Sequence, residues 1–182
     1  SLSGGRSLAE AKDVLLHRLQ ALARGQSMLV SGGVEGASVA EIVRLELEVF
    51  SQRVTIDGPE VLLTPKTAET FALVVHELGT NAVKHGALSV PDGRVAVNWS
   101  VVGHGSAQRF RFQWQERGGP PAAQPSGRGF GSILLEQAAA HAFHAEPRLR
   151  FTPGGLHYDF DAPLTGISAD TSGHEAGRPA AS

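Results

Sequence analysis

Three polar side chains in the stretch from His76 to Gly86 recur at the spacing of an α-helix. Glu77, Asn81 and Lys84 stand at i, i+4 and i+7, which places them in a row along one helix face. A carboxylate can take a proton from a nucleophile, a carboxamide oxygen can hold a hard metal ion, and an ammonium can neutralise phosphate. The spacing therefore predicts a shared polar site. A solvated helix face with an acid–base pair is an equally good interpretation of the spacing alone.

The helix that carries this row is the best patterned in the chain. Thr64 is expected to cap it and Pro65 to open it, because proline already has a helical φ and lacks an N–H that would be unpaired there. Apolar residues at 3.6-residue spacing predict one buried stripe, made of Ala68, Phe71, Ala72, Val75, Leu78, Gly79 and Ala82. We expect the helix to run from Pro65 to about His85.

The other elements are predicted from periodicity and from turn residues. Two helices come first, one over residues 8–29 and one that Ser38 and Glu41 open with a capping box. Hairpins are expected across residues 57–59, between strands 94–101 and 109–114, and between strands 148–151 and 156–160. A Gly- and Pro-rich loop over 116–131 leads into a helix over 132–143. Residues 165–182 are expected to form a disordered tail without hydrophobic anchors.

The composition is that of an ordinary globular protein, with 41% hydrophobic residues, 19% charged residues and a formal net charge of -2. The absence of cysteine excludes disulfides, thiolate nucleophiles and sulfur-ligated zinc. Lys and Arg are scattered, so no nucleic-acid partner is expected. No apolar run approaches the length needed to cross a bilayer, and we expect a cytoplasmic chain. Because it begins without Met, we interpret the chain as a fragment, whose upstream segments could hold a sensor or a membrane anchor.

The stretch from His76 to Ser89, HELGTNAVKHGALS, resembles the N box of bacterial sensor histidine kinases. More narrowly it looks like the HWE subfamily, which is named for a His in the N box and a downstream Trp-x-Glu, here Trp114-Gln115-Glu116. The resemblance continues through residues 118–120 and 127–132 and covers nearly everything except the tail. It implies an α/β two-layer sandwich in which a mixed, mostly antiparallel sheet is covered on one face by helices, the Bergerat ATP-binding fold.

The resemblance also implies a role for each site residue, with ATP and Mg²⁺ as cofactors. Glu77 would be the acid–base residue beside an attacking histidine, Asn81 would hold Mg²⁺ between the phosphates, and Lys84 would meet phosphate. The other expected nucleotide-binding residues are His85, Gly86, Glu116, Gly118, Gly119, Gly129, Gly131 and Ser132. Among these, Glu116 would accept a hydrogen bond from the adenine amino group.

Two residues that name the subfamily have less defined tasks. His76 is grouped with Glu77 as catalytic, yet on a helix it points about a hundred degrees away from it, so its expected task is orientation of the site. Trp114 alternates with Phe110 and Phe112, which favours core packing over direct contact with the base.

By the same resemblance, residues 1–50 end a helical dimerisation and phosphotransfer region, residues 51–164 form the ATP-binding catalytic domain, and residues 165–182 are the tail. The expected partners are a response regulator receiver domain, the upstream sensor with its phosphoacceptor helix, and a second copy bound through the N-terminal helices.

The implied activity is transfer of the ATP γ-phosphate to a histidine for relay to a response regulator. We expect the acceptor upstream of Ser1. His17 is followed by Arg18, as in the acceptor motif His-Arg-x-x-Asn, but Ala21 occupies the Asn position.

Two other functions would share the N box. One is a related ATPase, or a serine kinase that acts on an anti-sigma-factor antagonist, and the Trp-x-Glu signature and the leading helices argue against it. The other is a non-catalytic ATP-binding adaptor, which would have no need of Glu77, Asn81 and Glu116 together. The glycines of residues 127–131 also suggest dinucleotide binding, but no strand leads directly into them and no acidic residue follows at the expected separation.

Overall fold

The computed structural model describes residues 36–124 and 129–169. The helix predicted over residues 8–29, and Gly127 of the glycine-rich run, lie outside the described residues. In chain order the elements are β1 (Ala37–Ser38), α1 (Val39–Glu46), a 3₁₀ helix (Glu48–Arg53), β2 (Val54–Asp57), β3 (Leu62–Leu63), α2 (Pro65–Lys84), a 3₁₀ turn (Ala87–Ser89), β4 (Arg94–Val102), a 3₁₀ turn (Gly105–Ala107), β5 (Arg109–Arg117), α3 (Phe130–Ile133), a π-helical turn (Leu134–Ala138), α4 (Ala139–Phe143), β6 (Arg148–Thr152) and β7 (Gly155–Pro163).

Five of the strands form one mixed sheet in the order β2-β4-β5-β7-β6. β2 runs parallel to β4, whereas the other three neighbouring pairs are antiparallel. Alternate side chains of β5 point inward and are buried. They meet the helices, since the ring of Phe71 on α2 lies edge-on to Phe112 of β5 and to Phe143 of α4, with centroids 5.2 Å and 6.0 Å apart. The expected two-layer α/β sandwich is confirmed.

The central helix α2 forms as its sequence predicts. Thr64 is the N-cap, and its side-chain oxygen accepts the N–H of Thr67 at 3.4 Å, while Pro65 is the first helical residue. Every residue of the predicted apolar stripe is buried, and Val74 joins it. α2 has 20 residues. Within the described ranges, neither this helix nor another is long and apolar enough to cross a membrane.

The hairpin predicted across residues 57–59 is wrong. β2 pairs with β4, whereas β3 pairs antiparallel with β1 in a separate two-stranded sheet. The connection between them crosses the Trp99 side chain, whose indole N–H donates to the Pro59 carbonyl at 2.7 Å. Gly58 lies against the same ring, where a β-carbon would come within 2.3 Å of it. The turn residues therefore serve a crossover between two sheets.

The capping box predicted for the second helix is also wrong. Ser38 does hold the N-cap position of α1, but its side chain makes no cap hydrogen bond, and its hydroxyl oxygen is buried without a partner among the described residues. Ser38 belongs at the same time to β1, where it pairs with Leu62. Its backbone is fixed by that pairing, and Glu41 is left exposed to solvent.

The last helical segment begins at Phe130, two residues before the predicted start, and contains a π-helical turn. A π turn leaves backbone groups outside the regular α pattern. Here the buried Tyr158 hydroxyl of β7 donates to the Leu135 carbonyl at 2.7 Å and satisfies it. The sheet thus fixes the register of the segment that follows the glycine-rich run.

The expected start of a disordered tail at residue 165 is corrected by the structure. Ile167 is fully buried, the Thr64 N–H donates to its carbonyl at 2.9 Å, and Ser168 pairs with Leu63. Ile167 is a hydrophobic anchor in a stretch that is otherwise rich in small and polar residues, and the prediction of a tail without anchors was wrong at this residue. The chain therefore packs on the domain through Ala169, and residues 170–182 lie outside the described part.

We predict that Ile167→Ala lowers the free energy of unfolding by roughly 2–5 kcal/mol, because it removes a buried side chain and leaves a cavity. The measurement is urea unfolding at neutral pH. Val49→Ala is the matched control, since Val49 is 88% exposed, and its effect should stay below about 0.5 kcal/mol. Equal unfolding midpoints for wild type and Ile167→Ala would show that residues 165–169 add no stability.

Candidate functional site

One face of α2 carries the polar row. Glu77 and Asn81 are half-buried and Lys84 is exposed at the end of the helix. Within residues 36–124 and 129–169 the side chains of these three residues have no hydrogen-bond or ion-pair partner, so their polar groups remain available to a ligand. A carboxylate and a carboxamide oxygen one helical turn apart, with an ammonium beyond them, suit a hard cation bound to phosphate.

The turn that follows α2 is tied to β5 by a buried carboxylate. Glu116 is only 2% exposed, and its Oε2 accepts the backbone N–H of Ala87 at 2.8 Å. From the other side, the guanidinium of Arg53 donates to the Val90 carbonyl at 2.7 Å, and the Ser89 hydroxyl donates to the Gly86 carbonyl at 2.6 Å. The chain from Gly86 to Val90 is thereby held at the end of the polar row.

The Trp-x-Glu signature has a direct geometric basis in this structure. Trp114 and Glu116 are two residues apart on β5, so both side chains point to the same face of the sheet. The Trp114 indole N–H donates to Glu116 Oε1 at 3.2 Å, and Trp114 is itself 1% exposed. The prediction of core packing for Trp114 is confirmed, and its position also orients the carboxylate.

Close packing explains why glycine stands at two of the predicted site positions. A β-carbon on Gly86 would lie 2.0 Å from Glu116 Oε2, and one on Gly131 would lie 2.1 Å from Glu77 Oε1. Both contacts are far inside van der Waals distance. The second of them brings the start of α3, which follows the glycine-rich run, directly against the polar row of α2.

The remaining predicted residues fall around these two contacts. Gly119 lies against Ala87, the residue whose N–H Glu116 accepts. Gly118, with φ +71°, lies beside the Asp92 carbonyl, just before β4. Gly129 and Ser132 flank Gly131 at the start of α3. His85 is the exposed C-cap of α2, next to Lys84. Residues that are distant in sequence are therefore gathered at one end of the sheet and helix layers.

His76 lies on a different face of α2 from the polar row. Its Nδ1 is 2.9 Å from Glu46 Oε2, at the last residue of α1, and the two side chains are 16% and 2% exposed. The contact explains the position of His76, which sequence reasoning assigned only to orientation of the site. A catalytic role for His76 remains a prediction.

Sequence reasoning missed Glu46 and Arg53 as parts of this arrangement. Glu46 is 30 residues from His76, and Arg53 is 37 residues from Val90. Neither lies in a recognisable motif, and an acidic or basic residue at a helix end is ordinarily a solvated one. Only the packing of α1 on α2, and of the 3₁₀ helix beside α1 and β2, brings them to the site.

A separate cavity of about 530 Å³ opens at the opposite end of β5, beside Arg109, His144 and Arg148. Arg109 and Glu116 are at opposite ends of an extended strand and therefore about 23 Å apart. The guanidinium of Arg109 is paired with Asp161, which also lines the cavity. This cavity contains none of the predicted site residues.

The fold is that of histidine kinase catalytic domains. The histidine kinase domain of the blue-light-activated histidine kinase of Erythrobacter litoralis EL346 matches with a TM-score of 0.61 at 20% identity, over 83% of this chain and 75% of that chain. The catalytic domain of the histidine kinase ThkA in a nucleotide-free form matches with a TM-score of 0.51 at 12% identity, over 70% of this chain and 94% of that one.

Residues 1–60 match the family model of the HWE histidine kinases. A blue-light-activated histidine kinase of Brucella anthropi is 33% identical over 159 residues, which are 85% of this chain and 32% of that protein. The protein of the same name from Brucella ovis is 32% identical over 160 residues, or 86% and 33% of the two chains. The chain is thus similar to the HWE histidine kinases, and it spans about a third of the length of these curated relatives.

We predict that Gly86→Ala lowers the free energy of unfolding by roughly 1–3 kcal/mol, since the new β-carbon displaces the Glu116 carboxylate and leaves the Ala87 N–H buried without an acceptor. Urea unfolding measures the change. Gly154→Ala is the control, because the nearest atom to its β-carbon would be 3.8 Å away. If both variants unfold like the wild type, the Glu116 contact does not constrain this turn.

Glu116 also makes the stability of the fold depend on pH. Burial raises the pKa of its carboxyl above the ordinary 4.5, and the hydrogen bonds from Ala87 and Trp114 lower it by less. The folded state therefore holds this proton more tightly than the unfolded chain does. The stability that the protonated Glu116 carboxyl contributes is fully present at pH values below its pKa in the unfolded chain. It is lost as the pH rises through the higher pKa of the same carboxyl in the folded state.

We accordingly predict that the free energy of unfolding of the wild type, minus that of Glu116→Gln, falls as the pH rises from below 4.5. The amide does not titrate, so the variant lacks this component. Urea unfolding of both proteins at several values between roughly pH 4 and pH 8 measures the difference. A difference that stays level, or grows, would contradict the direction of the shift.

Proposed function

We propose that this chain is the catalytic region of a sensor histidine kinase, which binds Mg-ATP and transfers the γ-phosphate to a histidine in two-component signalling. The observation that carries the proposal is the meeting of three motifs that are far apart in sequence. The polar row of α2, the buried Glu116 of β5 and the glycine-rich start of α3 lie around one site. Similarity to the HWE histidine kinases supports the same reaction.

The adenine would bind at the Glu116 end of the site. Each carboxylate oxygen of Glu116 accepts one protein hydrogen bond, and a carboxylate oxygen has a second acceptor position. A buried acceptor rejects bases without a matching donor, and it favours adenine over guanine because adenine carries an amino donor at C6 where guanine carries a carbonyl oxygen. Gly119 and Ala87 offer backbone that a planar base can approach closely.

The triphosphate would extend along α2 toward α3. We propose Asn81 as the Mg²⁺ ligand, because its carboxamide oxygen is a hard donor and no protein group in the described part of the chain occupies it. Bound Mg²⁺ would neutralise phosphate charge. Lys84 adds a second positive charge at the same end. Gly129, Gly131 and Ser132 supply backbone at the start of a helix, beside Glu77.

Glu77 is proposed as the residue that handles the proton of the attacking imidazole. In the transfer, the new bond joins a ring nitrogen to the γ-phosphorus, the bond from that phosphorus to the bridging oxygen breaks, and ADP leaves. The attacking nitrogen is the one without a proton, and the N–H on the other side of the ring becomes acidic as the new bond forms, so a half-buried carboxylate can take that proton. The phosphorylated histidine would then pass the phosphoryl group to an aspartate of a receiver domain.

The same proposal extends to the partners. A response regulator receiver domain is the proposed recipient of the phosphoryl group, and an upstream sensor with its acceptor helix is the proposed source of the signal. The segment matched by the HWE family model, residues 1–60, includes α1 and the residues that precede it. We propose that this region contacts the acceptor helix and a second copy of the chain.

We predict that Glu77→Gln leaves the affinity for Mg-ATP within about threefold and slows phosphotransfer by roughly a hundredfold or more, since it removes the proton acceptor and keeps the shape. Affinity is measured by calorimetry. Transfer is measured as acid-labile, alkali-stable label from γ-labelled ATP, on the chain itself or on a supplied helix with the motif His-Arg-x-x-Asn. Glu69→Gln, on the same helix outside the polar row, is the matched control and should leave both quantities unchanged.

Three outcomes separate the competing functions. A wild-type chain that binds Mg-ATP and hydrolyses it, or labels serine, without labelling any histidine is a related ATPase or serine kinase. A chain that binds nucleotide without any turnover is an adaptor. Transfer that is as fast in Glu77→Gln as in the wild type would remove Glu77 from the chemical step, while leaving the kinase assignment in place.

A further inference from the structure

The contact between Glu46 and His76 joins the end of α1 to the helix that carries the polar row. Glu46 is the last residue of α1 and its side chain is 2% exposed. A carboxylate in such a place is costly unless hydrogen bonds compensate it. His76 Nδ1, at 2.9 Å, provides such a bond. A carboxylate oxygen accepts, so this contact requires a proton on Nδ1 of the imidazole.

A second contact at the same place limits how α1 can move on α2. Leu47 follows Glu46 directly, and its Cδ2 lies 3.0 Å from where a β-carbon on Gly79 would be. Gly79 is one helical turn after His76, so the last residue of α1 and the residue that follows it meet consecutive turns of α2. Apolar packing of Leu47 on a glycine is non-directional and permits small rotations. The hydrogen bond to His76 is directional and opposes them.

The orientation of α2 about its own axis decides where the polar row points. His76 and Glu77 are neighbours in sequence and about 100° apart around the helix, so a constraint on one fixes the direction of the other. Side-chain groups lie about 5–6 Å from a helix axis, and a rotation of roughly 10° therefore displaces them by about 1 Å. A misplacement of that size can cost roughly a hundredfold in rate.

We propose that Glu46 is a positioning residue for phosphotransfer, which acts through His76 to hold Glu77 in line with the acceptor histidine. This proposal rests on the proposed function, because it assigns Glu46 to the same reaction. It also identifies the physical link by which the helical segment before the ATP-binding part reaches the chemical step. The buried hydrogen bond between residues 46 and 76 transmits a movement of α1 to α2.

The test measures the Mg-ATP affinity, the KM for ATP and the kcat of phosphotransfer in the full chain for Glu46→Ala, His76→Ala and the double variant. We expect kcat to fall roughly tenfold to a hundredfold, with affinity and KM within about threefold, since binding groups are untouched. The double variant should be no slower than the slower single variant, because both remove one contact. Glu48→Ala, two residues after Glu46 and exposed, is the matched control.

A conservative variant separates positioning from packing. His76→Asn keeps an N–H donor near the position of Nδ1 and should recover most of kcat, whereas His76→Leu, of similar volume, should not. Ring ¹⁵N spectra provide a readout without turnover: Nδ1 of His76 should be protonated in the wild type and should lose that preference in Glu46→Ala.

Several results would overturn the proposal. Multiplicative losses in the double variant, or equal losses in His76→Asn and His76→Leu, would show that the two residues do not act as a pair. Lower stability and lower affinity at an unchanged kcat would show a structural role only. A wild-type chain that labels no histidine would instead refute the proposed function, and the ring spectra would still report whether the pair exists.

Discussion

The buried carboxylate of Glu116 is the interaction on which the arrangement of the site depends. A carboxylate at 2% exposure must have hydrogen-bond donors, and here they come from a strand neighbour and from the turn after α2. That requirement joins the sheet layer to the helix layer at one point. It also explains the glycine at position 86, where any side chain would occupy the space of the carboxylate. The end of α2, and with it the polar row, is therefore located by a carboxyl group buried inside the fold.

α2 contacts three neighbouring elements, and each of them packs on a different side of the helix. Its apolar stripe packs on the sheet through Phe71, its polar row faces the start of α3, and His76 meets α1. Because a helix is stiff, these three contacts are not independent. A change in any one of them therefore alters the others. The hydrophobic core provides stability, while the polar contacts at its edges fix the direction in which the polar row of α2 points.

Local features of the fold follow from local sequence. The cap at Thr64, the buried stripe of α2, the hairpin of β4 and β5 and the last hairpin were all predictable, since each depends on residues close together in the chain. The predictions that failed depended on distant partners. Residues 54–57 and 62–63 have the composition of a hairpin, but strand periodicity does not say which strand will lie alongside, and β2 and β3 pair in different sheets. Ile167 was missed for the same reason, because the pocket that buries it is formed by other parts of the chain.

The sequence alone determined the chemistry that is available and its local geometry. Helical spacing places Glu77, Asn81 and Lys84 on one face, and strand spacing places Trp114 and Glu116 on one side of β5. The tertiary structure decided which of these groups meet: Glu116 with Ala87, Glu77 with Gly131, and His76 with Glu46. The physical reason is the range of the forces involved. Backbone periodicity is set within a few residues, whereas a hydrogen bond or a close contact between elements exists only once the whole core has packed.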